Sequence, residues 1–282
     1  MVNSIDKLKN EVDVNKTAYI SNYKNYNGWA PKYNGGEVDS FGRDRAQSAP
    51  AYDEPNSNSN FRYLGDGHLV SIIGNSGNYY KVKSVYLDAE YWVPKKYVTL
   101  RNSISELKQV VVIDRNNQNE AVFSYLGDDK WQLISFVYAT TGANTAHKEP
   151  TELGYYMAIQ KKERFLYLDD KTKEIDGYAP YATRFNGGAY IHGVPIAFIK
   201  EPIIDETAIE ATDAETTTTD AETVETTEEE VEYKLIDPGM VESISSLGTV
   251  PLSHKCVRNF TSHAKFLYDW LKIGSSSIVV IE

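Results

Sequence analysis

The chain contains a single cysteine, Cys256, in the run Ser253-His254-Lys255-Cys256-Val257-Arg258-Asn259. A thiol attacks a carbonyl carbon efficiently when a base takes its proton, N–H donors meet the oxyanion and a further group fixes the base. His254 stands two positions away, and Lys255 and Arg258 flank the thiol with positive charge, which favours the thiolate. Consecutive N–H groups in a turn ahead of a helix can supply the oxyanion donors. A lone Cys is otherwise a small buried core residue, and the base of a cysteine enzyme commonly lies far away in sequence. One Cys permits no intrachain disulfide, and with five His it excludes a thiolate-rich zinc site. No metal or cofactor is expected. His68 and His147 read as solvated loop residues, and His263 as the surface of a helix's first turn. The pair Asp169-Asp170 reads as a hairpin turn, because no motif places a second carboxylate opposite it.

The elements that must position these residues are mostly strands. Residues 1–47 are polar and predict an irregular lead-in, with a helix near Ser4–Val14. From residue 48 to 107, short β-branched and aromatic runs such as Leu69–Ile73, Tyr79–Val85 and Tyr91–Pro94 alternate with Asn- and Gly-rich turns, which predicts a small barrel. From Lys108 onward the runs Val110–Asp114, Ala121–Tyr125, Leu133–Tyr138, Gly154–Ile159, Phe165–Leu168 and Ala189–Ile191 continue the series, and Ser277–Ile281 closes it. One late helix is expected over Ser262–Lys272, with Thr261 as its N-cap and Phe266, Leu267, Trp270 and Leu271 on its apolar face. The fold class read from this pattern is mainly β.

The net charge of −11 belongs to one segment. Residues 205–232 carry 12 of the 40 acidic residues and no Lys or Arg, which leaves 28 acids against 29 bases elsewhere. Such a Glu/Asp/Thr/Ala tract cannot bury enough apolar surface to order itself and reads as a solvated insertion. No basic stripe exists, so nucleic acid is not an expected partner. No apolar run reaches the roughly 20 residues of a membrane helix, and no signal peptide is visible.

The run Ser253–Asn259 resembles the Ser-His-Gly-Cys-hydrophobic-Arg/Asn signature of the L,D-transpeptidase (YkuD-type) family. Arg184-Phe185-Asn186-Gly187-Gly188-Ala189-Tyr190-Ile191-His192-Gly193 resembles that family's Ile-His-Gly segment, and Thr140-Thr141-Gly142 and Glu149–Gly154 resemble its earlier strand-turn elements. The resemblance covers about 108–282, and the spacing of 48–107 resembles a bacterial SH3-like (SH3b) module, whose usual role is contact with peptidoglycan. It implies three parts: a lead-in at 1–47, an SH3-like module at 48–107 and a catalytic domain at 108–282 with the acidic insertion at 205–232. Lys255 stands where the family has Gly, and His192 lies 64 positions before Cys256, a span lengthened by the insertion. The resemblance implies Cys256 as nucleophile, His192 as base held by the Gly193 carbonyl, and His254 and Ser253 shaping the pocket. The Lys255 and Cys256 N–H groups would face the oxyanion, and Arg258, Asn186 and Tyr190 would bind substrate. The implied reaction joins peptidoglycan stem peptides by 3→3 cross-links with release of terminal D-Ala. An L,D-carboxypeptidase using water as acceptor and a catalytically silent wall-binding protein are the competing expectations. The implied place is the bacterial cell envelope, with any export or anchor segment outside this chain, and the implied state is a monomer.

Overall fold

The computed structural model describes residues 1–101, 103–169, 171–203 and 233–282; Asp170 and the acidic segment 205–232 lie outside the described residues. The protein is mainly β. Helix α1 (Val2–Val14) is followed by β1 (Lys16–Ile20), β2 (Ser48–Tyr52), β3 (Phe61–Gly65), β4 (Leu69–Ser76), β5 (Tyr79–Ser84), β6 (Ala89–Pro94) and β7 (Val98–Thr99). These seven strands form one sheet in the order β3-β2-β6-β5-β4-β1-β7. The lead-in is therefore not wholly irregular: Lys16–Ile20 pairs with both β4 and β7. Its alternate residues Ala18 and Ile20 supply two buried side chains to the core of that sheet, a gain that outweighs its polar flanks.

The second sheet contains β8 (Gln109–Asp114), β9 (Asn119–Gly127), β10 (Lys130–Tyr138) and β11 (Gly154–Met157), with the last strand of the chain, β19 (Ser276–Ile281), inserted between β8 and β11. The third contains β12 (Gln160–Leu168), β13 (Ile175–Asn186), β14 (Ala189–His192), β15 (Ile196–Ala197) and, much later, β18 (Val257–Arg258). A two-stranded ribbon, β16 (Ile199–Pro202) and β17 (Tyr233–Ile236), flanks the acidic segment on both sides. Helix α2 (Thr261–Trp270) precedes β19 (Ser276–Ile281).

The continuous apolar runs of β8 and β19 are explained by burial on both faces. Val111, Ile113, Ile278 and Val280 point toward the third sheet, where they pack with Phe185, Ile191, Val257 and Leu267. Their neighbours Val110, Val112 and Val279 point the other way, onto Ile5, Leu8 and Val12 of α1. Those α1 positions follow a helical repeat and make its single apolar stripe. Thr261 is the first residue of α2 rather than its N-cap, and the cap position falls on Phe260. The Thr261 hydroxyl instead donates to the Val241 carbonyl and accepts from the Val194 N–H, which ties the helix start to the loop after His192. Among the described residues, no helix is long and apolar enough to cross a membrane.

The β3–β4 turn docks against the second and third sheets. Arg184 of β13 donates to Asp66 at 2.5 Å with both side chains buried, and Arg43 pairs with Glu152. His68, expected to be solvated, is buried in this contact, edge-on to Tyr156 at 5.1 Å and 3.5 Å from the Glu152 carboxylate. The turn meets protein instead of water, and burial lowers the His68 pKa. His147 is exposed, as expected. Asp169 accepts from the Lys171 and Thr172 N–H groups, the side-chain-to-backbone pattern of a tight turn between β12 and β13.

Candidate active site

Two strands distant in sequence bring the candidate residues together. β14 and β18 run parallel, with Ile191 opposite Val257 and His192 opposite Arg258. Ile191 and Val257 lie in the core. Because side chains alternate along a strand, His192 and Arg258 project from the other face, and Cys256, one residue before β18, joins them. His192, Cys256 and Arg258 line one cavity of about 350 Å³, with Ser253, His254, Gly188 and Pro195 around them. Phe165 and Tyr167 of β12 form an aromatic wall. Their i, i+2 spacing on a strand places both on one face, a signal present in the sequence but not assigned to the site.

The His192 Nδ1 lies 2.6 Å from the Gly193 carbonyl. A carbonyl only accepts, so Nδ1 carries the proton and Nε2 is the acceptor. Burial, with a further push from the Arg258 charge, lowers the His192 pKa to about 4 against the raising effect of the Gly193 carbonyl. Gly193 permits this packing: a Cβ there would sit 2.9 Å from Pro180 Cγ and from Thr261 Oγ1. The Cys256 thiol lies 3.8 Å from the Gly188 carbonyl. Burial pushes it up to about 11, and this outweighs the lowering by the Tyr190 backbone hydrogen bond and by the Arg258 and Lys255 charges. The flanking cations do pull toward the thiolate, as expected, but burial outweighs them, and at neutral pH the pair is thiol and neutral imidazole.

The backbone before Cys256 is held by residues 149–151. The Lys255 N–H donates to the Glu149 carbonyl at 2.8 Å, and the Thr151 hydroxyl donates to the Lys255 carbonyl at 2.9 Å. Gly142 lets these segments meet, since a Cβ there would be 2.5 Å from the Glu149 oxygen. Lys255 has φ +61°, the left-handed region in which glycine is favoured and a side chain costs about 1–2 kcal/mol. Its ammonium pairs with Glu149 at 2.5 Å, and His254 stands 3.5 Å from the same carboxylate. The Cys256 N–H turns back to the His254 carbonyl at 2.7 Å, and Ser253 donates to the Cys256 carbonyl. The Lys255 and Cys256 N–H groups, expected to face an oxyanion, are thus committed to carbonyls of the protein. Lys255→Gly is expected to change stability by less than about 1 kcal/mol, because relief of strain opposes the larger entropy of the unfolded chain; urea unfolding measures it.

Two residues expected to bind substrate do not line the thiol cavity. Asn186 faces a different cleft and donates to Glu152 at 2.9 Å. Tyr190 is fully buried and stacks on Phe165 at 4.2 Å between ring centres, so it supports the aromatic wall from behind. Arg258 does line the cavity, and its guanidinium has no carboxylate partner among the described residues. His263 is buried rather than on the helix surface: its Nε2 lies 3.0 Å from Glu120, a carboxylate with no exposure. Glu120 also accepts from the Asn259 side chain, and the Asn259 N–H donates to the His192 carbonyl at 2.9 Å. This buried chain holds the backbone of His192.

No protein-family profile and no curated protein matches the chain. Among solved structures, it is similar to an L,D-transpeptidase from Mycobacterium smegmatis at 15% identity, over 76% of this chain and 82% of that one, with a TM-score of 0.40. It is similar to L,D-transpeptidase 3 from Mycobacterium tuberculosis in complex with a faropenem-derived adduct at 15% identity, over 75% and 79%, with a TM-score of 0.36. A fused Zn-dependent amidase/peptidase/peptidoglycan-binding protein from Clostridium acetobutylicum is similar at 18% identity with a TM-score of 0.35; the match covers 62% of this chain and spans about half, 52%, of that one.

Proposed function

We propose that the protein is a peptidoglycan L,D-transpeptidase working in the bacterial cell envelope. The observation that supports this reading most is the shared cavity of Cys256 and His192, with the ring fixed so that Nε2 is its acceptor. In the proposed reaction His192 Nε2 takes the thiol proton as Sγ attacks the carbonyl of the third stem residue. The tetrahedral oxyanion develops beside the Arg258 guanidinium. His192 passes its proton to the departing D-Ala amine, and the C–N bond breaks to leave a thioester. The side-chain amine of a second stem attacks the thioester, gives up a proton to His192 and releases the thiol, so that a 3→3 amide bond forms. On this reading the residues flanking Cys256 shape the pocket, the seven-stranded sheet serves as the wall-contacting module, and 108–282 is the catalytic domain.

The test is intact-mass spectrometry after incubation with a carbapenem. The folded protein is expected to gain the mass of one opened carbapenem, and Cys256→Ala to gain none. A folded wild-type protein that stays unmodified would sink the enzyme reading and favour a silent wall-binding protein. With tetrapeptide stems, cross-linked dimers are expected; tripeptides alone would reassign the activity to an L,D-carboxypeptidase.

A further inference from the structure

Two core positions between the second and third sheets are filled by polar side chains. Side chains alternate along β9, so Glu120 projects to the same side as Val122, which packs in that core. On α2, His263 stands one turn before Leu267, which packs in the same core. Glu120 has no exposure and lies 3.0 Å from His263 Nε2; among the described residues no Lys or Arg pairs with it. A buried carboxylate–imidazole pair is no more stabilising than a packed apolar pair of similar volume. Its other hydrogen bonds go to one residue, Asn259, whose Nδ2 donates to both Glu120 oxygens at 3.2 and 3.3 Å.

Asn259 lies in the junction between β18 and α2, outside both elements. Its Oδ1 is buried without a partner, so Glu120 alone fixes its side chain by hydrogen bonds. Its backbone N–H donates to the His192 carbonyl at 2.9 Å, and the Gly193 N–H donates to the Pro180 carbonyl at 2.9 Å. The peptide unit joining His192 to Gly193 is therefore clamped at both of its polar atoms. One residue on, the Gly193 carbonyl returns to His192 Nδ1 at 2.6 Å and selects the tautomer in which Nε2 accepts. The Pro180 clamp is carried by β13, a strand of 12 residues. The Asn259 clamp depends on Glu120.

We propose that Glu120 is a positioning residue for His192. Through Asn259 it holds the His192–Gly193 peptide in the orientation that keeps Nδ1–H on the Gly193 carbonyl and leaves Nε2 available to the Cys256 thiol. His263, from α2, holds the Glu120 carboxylate in place. The consequence for acylation rests on the transpeptidase reading; the tautomer of His192 does not.

The experiment compares the full chain with its Glu120→Leu/His263→Leu variant. Removing carboxylate and imidazole together strands neither, so the double variant is expected to melt no lower than the wild type. With histidine isotope-labelled at its ring nitrogens, NMR reads the His192 tautomer, its signals assigned by their loss in His192→Gln. The wild type is expected to show the Nδ1–H tautomer alone, and the double variant a mixture of both. The limiting rate of carbapenem acylation is expected to fall at least about tenfold, with the half-saturating concentration unchanged within about twofold, because a misplaced base acts on the chemical step. Glu120→Gln, whose amide oxygen still accepts from Asn259, is expected to recover the single tautomer and most of the rate. If the double variant does not fold, Glu120→Asp, which withdraws the carboxylate from Asn259, carries the comparison. A single Nδ1–H tautomer in the variant that breaks the contact, or a rate that falls only in step with the melting temperature, overturns the proposal. Absence of a carbapenem adduct on the wild type overturns the transpeptidase reading instead, and the tautomer then decides on Glu120.

Discussion

His192→Gln is expected to slow acylation of Cys256 by roughly 10²–10⁴-fold at neutral pH. The size follows from the resting protonation states. With the thiol pushed up to about 11, almost no thiolate exists at pH 7, so attack depends on a base acting in the same step. His192, lowered to about 4, is neutral and able to accept at any pH above that value. The wild-type acylation rate is therefore expected to rise as pH increases through about 4 and to stay level through neutrality. The glutamine variant lacks the base and reacts only as thiolate, so its rate should climb about tenfold per pH unit until it approaches about 11. Carbapenem acylation measured from pH 4 to 10 tests both profiles. Parallel profiles for the two proteins would remove His192 as the base. The same shifts bear on stability. Between about 6.5 and 4 the unfolded chain binds a proton at His192 that the native state refuses, so stability falls as pH falls through that window. Between 9 and about 11 the unfolded thiol ionises while the native thiol does not, so stability falls as pH rises there.

Arg184→Met is expected to destabilise the fold by about 3–5 kcal/mol, because it leaves the Asp66 carboxylate buried without its counter-charge. Asp66 is almost fully enclosed, accepts from Arg184 at 2.5 Å and accepts the Asn22 N–H at 2.7 Å. Burial raises its pKa even with Arg184 present, so the charge is already costly to hold. The pair also joins the β3–β4 turn to β13, the strand that leads into the Gly187–Gly188 turn, and Arg184 stacks over Tyr23 at 4.2 Å. A melting temperature lower by about 10 °C is expected, at about 2–4 °C per kcal/mol for a chain of this size. Asp66→Asn combined with Arg184→Met should recover part of the loss, since no charge is then stranded. Equal losses in the single and double variants would show that packing, not the ion pair, carries the effect.

The candidate residues of this chain were legible locally. A single thiol in Ser253–Asn259 named its own candidate, the strand runs named a mainly β fold, and the apolar face of α2 followed from its period. Local sequence dictates these features because alternation and helical spacing report which side of an element is wet. The partners of each side chain were decided by tertiary structure alone. His68, His263 and Asn186 carry no mark in sequence separating an exposed polar residue from one enclosed by Glu152 or Glu120, because burial depends on what docks from elsewhere. The protonation of Cys256 is the clearest case. Its neighbours in sequence are cations that favour a thiolate, but residues of distant β12, β13 and β14 partly enclose the thiol, and the desolvation there exceeds the pull of those charges.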